Sequence, residues 1–205
     1  MYGINFQVVC DCDLRVTFIA MTTGSNAHDS TAFRRSGLAR LFQQHRIPGG
    51  YFLCGDAAYR GNAGVVAPFT GSFAPGTLHD TYNFIHSSHR TAIERCFGCL
   101  VRRWGILWRP LKFPHGANVA IVFALCRLHN ICMLRRNPQS GMRRHRDDEG
   151  DQPLTDGAVV NDLCPVYSSS IDGTAEEREA VREAHDLRRM IAQRLHANGC
   201  IRPII

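Results

Sequence analysis

Two acidic residues occupy positions from which they could bind a divalent metal ion. Asp56 follows a short apolar run at residues 51–54, which is typical of a buried strand. Glu94 lies in a segment of helical periodicity and is the only acidic residue within residues 81–146, where twelve Arg and Lys residues occur. Carboxylates held by separate elements can converge on Mg²⁺ or Mn²⁺, and such ions activate water for phosphodiester cleavage. The two residues therefore indicate metal-dependent chemistry on nucleic acid.

Simpler interpretations of the acidic residues remain open on spacing alone. Asp56 could be a turn residue at the end of a strand. Glu94 could pair with Arg90 one helical turn earlier, an interaction that contributes about 0.2–0.5 kcal/mol on a helix surface. A third acidic residue, Asp29, follows a Gly-Ser loop, and either Asp29 or Ser30 could act as the N-cap of the following helix.

Cysteine and histidine residues form a second set of candidate metal ligands. Their spacing resembles that of zinc sites, and the residues concerned are Cys96, Cys99, Cys126, His129 and Cys132. All lie within apolar helical patterns, where cysteine commonly packs as a small apolar residue, so we expect core packing. A separate pair, His86 and His89, is expected at the start of a helix, exposed to solvent or facing a phosphate.

Basic residues surround Glu94 in the sequence and could neutralise the phosphates of a bound nucleic acid. The candidates for DNA contacts are Arg90, Arg95, Arg102 and Arg103. Contacts of this kind depend on salt and carry no base specificity. The formal net charge of +6 and the pI near 9.0 agree with a polyanionic partner, although the same residues could form an ordinary solvated face.

A mixed α/β domain is needed to position these residues. Alternating and short apolar segments predict four strands, at residues 2–10, 15–22, 51–54 and 65–67. Helical periodicity predicts one helix from about residue 30 to 42 and two more at about residues 87–104 and 117–134. The last of these is apolar on nearly all sides, so we expect it to be buried.

The remaining third of the chain differs in composition. Residues 135–173 are charged and polar with little periodicity, and we interpret them as a flexible linker. Residues 174–199 contain a capping box and one narrow apolar stripe, which predict an amphipathic helix that docks elsewhere. No apolar run approaches the roughly 20 residues that span a bilayer, so we expect no membrane partner. Nine cysteines without small-scaffold spacing favour reduced thiols in an intracellular protein.

Five short motifs follow one another in a fixed order. They are Gly24-Ser25-x-x-His28-Asp29-Ser30, Leu53-x-Gly55-Asp56-x-x-Tyr59, Tyr82-Asn83-x-x-His86-Ser87-x-x-Arg90, Ile93-Glu94-Arg95-x-Phe97-Gly98 and Leu128-His129-Asn130-Ile131-Cys132. Together they resemble the DDE endonuclease domain of the Harbinger transposases and of the nucleases derived from them. The resemblance covers about residues 2–134, and we assign residues 1–134 to this domain.

This resemblance implies a ribonuclease-H-like fold, in which helices flank a mixed sheet, and DNA cutting with a divalent cation, Mg²⁺ or Mn²⁺. It implies that Asp56 and Glu94 are catalytic residues. It further implies that Asp29 joins them as a metal ligand and that the three carboxylates share one cleft. A nuclear protein is implied as well, one that acts on DNA and in some family members works with a separate Myb-like DNA-binding protein.

The chain departs from the family pattern at the first catalytic aspartate. In the family this residue lies in an Asp-Gly-Thr-like motif on a strand upstream of the segment that corresponds to residues 1–7. We therefore expect an N-terminally truncated domain without its first, central strand, and neither Asp11 nor Asp13 is expected to substitute. Two functions stay open. One is a DDE-type endonuclease whose first aspartate comes from missing sequence, and the other is a catalytically inactive transposon remnant that binds DNA or a protein partner.

Overall fold

The computed structural model describes residues 4–22, 28–136 and 175–200. Within these ranges the chain forms two compact units. Unit 1 contains residues 4–7, 22, 28–91 and 175–200, and unit 2 contains residues 8–21 and 92–136. The predicted linker falls almost entirely outside the described residues. The Gly-Ser loop at residues 24–27 and Thr174 of the predicted capping box also lie outside them.

The described residues form four strands and five α-helices. The strands are β1 (Asn5–Cys10), β2 (Val16–Thr22), β3 (Leu53–Cys54) and β4 (Val65–Val66). The helices are α1 (Asp29–Arg34), α2 (Gly37–Gln43), α3 (Leu78–Arg103), α4 (His115–Arg136) and α5 (Ala175–Ala197). The predicted mixed α/β class is confirmed. The strands make two two-stranded sheets, β1-β2 and β3-β4, and the single ribonuclease-H-like sheet stays a prediction.

The hairpin between β1 and β2 closes around Asp11. Its carboxylate Oδ1 accepts hydrogen bonds from the backbone N–H groups of Asp13 and Arg15, and its Oδ2 accepts from Arg15 Nε at 2.7 Å. Leu14 adopts a positive φ of 63°, which completes the tight turn. Because both carboxylate oxygens of Asp11 hold the turn together, this side chain has a structural role.

In unit 1, two short helices replace the single helix predicted from about residue 30. Ser36 interrupts it, because its side chain accepts a hydrogen bond from Ala39 N–H at 3.2 Å and caps α2. Phe33, Ala39 and Val65 form the buried core against which Tyr59 packs. Strands β3 and β4 pair in parallel, and this pairing brings the residues after β3 to the edge of that core.

Helix α3 begins at Leu78, nine residues before the predicted start. Thr77 Oγ1 accepts from the N–H of Asp80 at 3.4 Å, and the Asp80 carboxylate accepts from Gly76 N–H at 2.9 Å. This arrangement resembles a capping box, except that the Asp80 carboxylate accepts from the residue before the N-cap, Gly76, and not from the N-cap Thr77 itself. The Gly- and Pro-rich composition of residues 70–80 concealed this helix start.

Helix α4 is far less buried than its apolar composition predicted. Its buried residues are Cys126, His129 and Met133, whereas Ile131 is 47% exposed. The prediction of a buried helix is therefore wrong, because the described residues of unit 2 cover only one face of α4.

By length and composition alone, α4 could also cross a membrane, so the prediction that no apolar run approaches membrane-spanning length is wrong. A single helix of this length and hydropathy is weak evidence for a membrane span.

Helix α5 packs in unit 1 against β4 and the segment around Gly61. Gly61 has a φ of +79°, and a side chain there would meet Val181 of α5 at 3.0 Å. The buried face of α5 contains Ala184, Arg188 and Ala192. A buried arginine on this face was not predicted from the apolar stripe.

Candidate active site

Asp56 lies two residues after the end of β3, in unit 1. Its Oδ1 accepts a hydrogen bond from the N–H of Ala58 at 2.9 Å, which caps the 3₁₀ helix Ala57–Tyr59. The interpretation of Asp56 as a turn residue is therefore correct for one of its two carboxylate oxygens, Oδ1. The side chain is exposed, and Oδ2 has no hydrogen-bond partner within the described part of the chain. One carboxylate oxygen fixes the direction of the side chain and the other can bind a ligand.

Asp29 is the first residue of α1 and is also exposed. The N-cap is His28, which makes no side-chain capping bond, so the prediction that Asp29 or Ser30 caps this helix is wrong. The structural reason is that the helical backbone already includes Asp29, so its carboxylate lies alongside the first turn. There it accepts a hydrogen bond from Asn5 Nδ2 at 3.4 Å. Its negative charge also interacts favourably with the helix dipole.

A chain of side-chain hydrogen bonds connects Asp29 to Tyr59. Tyr59 Oη donates to Gln7 Oε1 at 2.7 Å, and Gln7 Nε2 donates to Asn5 Oδ1 at 2.9 Å. Asn5 in turn donates to Asp29. Gln7 is 6% exposed, so this polar chain is held by buried contacts. The sequence signal for it was the alternation of β1, which places Asn5 and Gln7 on one face of the strand.

Tyr59 also reports on the position of Asp56. Burial raises the pKa of Tyr59 to about 12, and the negative charges of Asp29 and Asp56 contribute to the increase. The charges of two carboxylates of unit 1, Asp29 and Asp56, therefore act on the same phenol. Sequence reasoning did not select Tyr59.

The donor chemistry of this pair fits a magnesium or manganese ion. Such hard cations bind carboxylate oxygens, and Mg²⁺ is usually held by one or two carboxylates with waters and substrate phosphates completing the shell. Asp29 and Asp56 could supply that number. Among the described residues, however, no group of three or more His, Cys, Asp or Glu side chains is close enough to hold a metal ion.

Glu94 lies in unit 2, exposed on α3. One turn later, no described residue other than the helix's own neighbouring backbone comes within 4 Å of the position that a side-chain carbon would take at Gly98, so in the described structure the helix surface beside Glu94 is open. Arg95 and Arg102 are exposed as well. They are seven residues apart, close to two helical turns, so they lie on the same side of α3.

Arg103 has a different environment from the other predicted DNA contacts. Its Nη1 donates to His129 Nδ1 at 2.9 Å, and its Nη2 lies 3.9 Å from the sulfur of Met133. Nine residues, or about two and a half turns, separate it from Glu94, so it projects from the opposite side of the helix. Arg103 is half-buried, and its guanidinium is already engaged by His129 within unit 2. Arg90, in unit 1, is half-buried.

His86 is buried, in contrast to the predicted surface pair, and only His89 is exposed. His86 is 4% exposed, and its Nε2–H donates to the carbonyl of Val66 at 3.1 Å. Burial lowers the pKa of His86, which favours the neutral ring. The prediction is wrong because α3 begins earlier than expected, so His86 lies in its third turn and faces β4.

The cysteines and the Leu-His-Asn motif serve the core of unit 2. Cys96 and Cys126 are buried, in agreement with the core-packing interpretation. His129 is fully buried, and its Nε2–H donates to the carbonyl of Leu14 at 2.7 Å. Asn130 accepts from the N–H of Val16 at 2.8 Å and donates to its carbonyl at 2.7 Å. This motif therefore attaches the hairpin to α4.

Comparison with models of known protein families gives a match over more than half of the chain. A sequence model of the family described as DDE superfamily endonuclease matches residues 1–130. That range includes Asp29, Asp56 and Glu94, together with the hydrogen-bonded residues Gln7 and Tyr59. No curated protein and no solved structure matches the chain.

Proposed function

Because the chain belongs to the DDE superfamily of endonucleases, we propose that it is a divalent-metal-dependent DNA endonuclease of the Harbinger transposase type with a ribonuclease-H-like fold. The family match carries this proposal, since it spans all three acidic residues. The placement of Asp29 and Asp56 in the same unit, where the charges of both raise the pKa of Tyr59, supports it as well.

In this proposal Asp56 and Glu94 are the catalytic carboxylates, and Asp29 is a further metal ligand. A bound Mg²⁺ or Mn²⁺ ion supplies an activated water and neutralises charge on the phosphate. The chain's own contribution is to orient the carboxylates. Asp56 is held by the N–H of Ala58, and Asp29 by the hydrogen bond from Asn5.

DNA is the proposed substrate, held through its phosphates by Arg95 and Arg102 beside Glu94, with Arg90 as a further candidate. Arg103 is the weakest candidate of the predicted set because its guanidinium already binds His129. The resemblance to Harbinger transposases also leads us to propose nuclear action, with a Myb-like protein supplying sequence recognition.

A catalytically inactive protein that binds DNA or a protein partner is the second candidate. The observation that favours it is that the described residues contain no group of three metal-ligating side chains. The two candidates differ in one measurable property, because only the first predicts cutting of DNA.

Nicking of supercoiled plasmid by the purified chain in Mn²⁺ tests the proposal. We expect nicking that is abolished by EDTA and reduced roughly 100-fold or more by Asp56→Asn or Glu94→Gln, since such losses follow removal of a group that stabilises transition-state charge. Glu183→Gln is the matched control, because Glu183 is exposed on α5 outside the matched range. DNA binding without any nicking would favour the inactive protein, and nicking that survives both substitutions would exclude the assigned site.

A further inference from the structure

Two arginines from distant parts of unit 1 converge on one backbone carbonyl. Arg60 Nη2 and Arg188 Nη1 each donate to the oxygen of Pro68 at 3.2 Å. Arg60 follows the 3₁₀ helix that Asp56 caps, and Arg188 lies on α5. A neutral carbonyl cannot balance two positive charges. We propose that this pair forms an anion site that binds a phosphate group.

Both guanidiniums retain unused hydrogen-bond donors. The Nε atoms of Arg60 and Arg188 are buried and have no hydrogen-bond partner in the described structure. Arg188 as a whole is only 8% exposed. Neither arginine forms an ion pair with a carboxylate of the described residues. Buried donors and unpaired buried charges are unfavourable unless a ligand or ion satisfies them.

A cavity adjoins the two arginines. It is lined by Arg60, Arg188, His185 and small or apolar residues, and its interior has room for about one water-sized group. The cavity therefore suits a single phosphate oxygen and not a whole nucleotide. Its opening to solvent would allow a phosphate oxygen to enter while the rest of a larger molecule stays outside.

The neighbouring side chains hold Arg188 in place for this role. Its guanidinium carbon lies 4.3 Å from the centre of the Phe69 ring, and its Nη2 donates to His185 Nδ1 at 3.0 Å. Burial lowers the pKa of His185, and the positive charges of Arg188 and Arg60 lower it further. The surroundings of the cavity are therefore cationic, and the planar guanidinium fork matches the oxygens of phosphate.

Two sources could supply the phosphate group, namely a DNA backbone and free phosphate. The DNA source rests on the proposed function, whereas the phosphate site itself does not. The expected difference is in the salt dependence of DNA binding, since each phosphate contact contributes about 0.9 to the slope of log K against log salt. Binding is measured with EDTA present, so the result is independent of whether the chain cuts DNA.

The test compares the whole chain with Arg60→Gln and with Arg189→Gln. Arg189 is the matched control, because its side chain is 70% exposed on the same helix as Arg188 and lies 3.9 Å from Asp186. We expect inorganic phosphate to raise the melting temperature of the unaltered chain and of Arg189→Gln, at ionic strength matched with chloride. Arg60→Gln should lose this increase. If Arg60→Gln folds poorly, Arg60→Lys, which retains the positive charge, takes its place in this comparison.

Fluorescence anisotropy with a duplex oligonucleotide then identifies the source. A salt slope that falls by about 1 in Arg60→Gln and is unchanged in Arg189→Gln supports the site with DNA as its occupant. An unchanged slope together with a phosphate-dependent melting increase supports the site with free phosphate as its occupant. If phosphate and chloride have equal effects on the unaltered chain, or if Arg189→Gln abolishes the increase as Arg60→Gln does, the proposal is wrong.

Discussion

Tyr59 has a pKa that responds to two acidic residues of unit 1, Asp29 and Asp56. Its hydroxyl is hydrogen-bonded to Gln7, and the charges of Asp29 and Asp56 both act on it. If the proposed cation binds these carboxylates, its positive charge would offset theirs and lower the pKa of Tyr59. The sequence motif contained Tyr59 but gave no reason to select it, because its partners lie up to 52 residues away.

At the same scale, His86 makes the stability of the fold depend on pH. Burial lowers the pKa of His86 below its ordinary value of 6.5, and its ring donates to Val66. The unfolded chain therefore binds the proton more readily than the folded chain. Stability contributed by this residue is present above about pH 6.5 and is lost as the pH falls through the lowered value.

We expect urea unfolding at pH 7.5 and 5.5 to show this loss in the unaltered chain, and to show a smaller loss in His86→Gln. Glutamine keeps an N–H donor for Val66 but does not titrate. His89→Gln is the matched control, because His89 is exposed one turn later on α3 and should leave the pH dependence unchanged. An identical pH dependence in the unaltered chain and in His86→Gln would contradict the assignment.

At the scale of elements, α3 presents adjacent arginines to different environments. Arg102 is exposed, whereas Arg103 donates to the buried Nδ1 of His129. His129 in turn bonds the hairpin through Leu14, so Arg103 stabilises the attachment of β1 and β2 to α4 within unit 2. Neighbours with the same charge thus have separate roles, one at the surface and one in the core.

Substitution of each arginine by glutamine should separate these roles. Arg103→Gln leaves a buried nitrogen of His129 without its donor, so it should lower the free energy of unfolding by about 1–3 kcal/mol. Arg102→Gln should change stability by no more than about 0.5 kcal/mol, while it weakens DNA binding and lowers the salt slope by about 1. Chemical denaturation and fluorescence anisotropy measure the two effects. Equal stability losses in both variants would disprove the distinction.

At the scale of the whole molecule, charge and family membership indicate DNA as the partner. The net charge of +6 favours phosphate contacts, which carry no sequence information. In the described residues, the helices that bear exposed arginines also carry exposed apolar side chains such as Phe97 and Ile131.

We therefore expect the isolated chain to bind duplexes of equal length and unrelated sequence with affinities within about threefold of one another, because phosphate contacts are uniform along DNA. Affinity should fall steeply between 50 and 200 mM salt. Competition anisotropy with duplexes of different base composition measures both properties. A preference of roughly 100-fold for one sequence would show that the chain reads bases itself.

The sequence determined the features that depend on neighbouring residues. Alternation predicted β1 and β2, helical periodicity predicted α4 and α5, and the ordered motifs led to the DDE family that the comparison then established. Asp56 and Glu94 were selected as exceptional on spacing and charge alone. Such signals are local because side-chain periodicity follows directly from backbone geometry.

Only the tertiary structure decided which side chains are buried and what they contact. Asp29 proved not to cap its helix, and His86 proved to be buried against β4. The burial of Arg188 depends on the packing of α5 in unit 1. The sequence could not predict it, since the partners Pro68 and Phe69 lie about 120 residues earlier in the chain. Contacts across such separations depend on how elements pack, and packing has no local periodicity to reveal it. The early start of α3 was different, because its capping residues were present in the sequence but lay within a stretch whose Gly and Pro content indicated a loop.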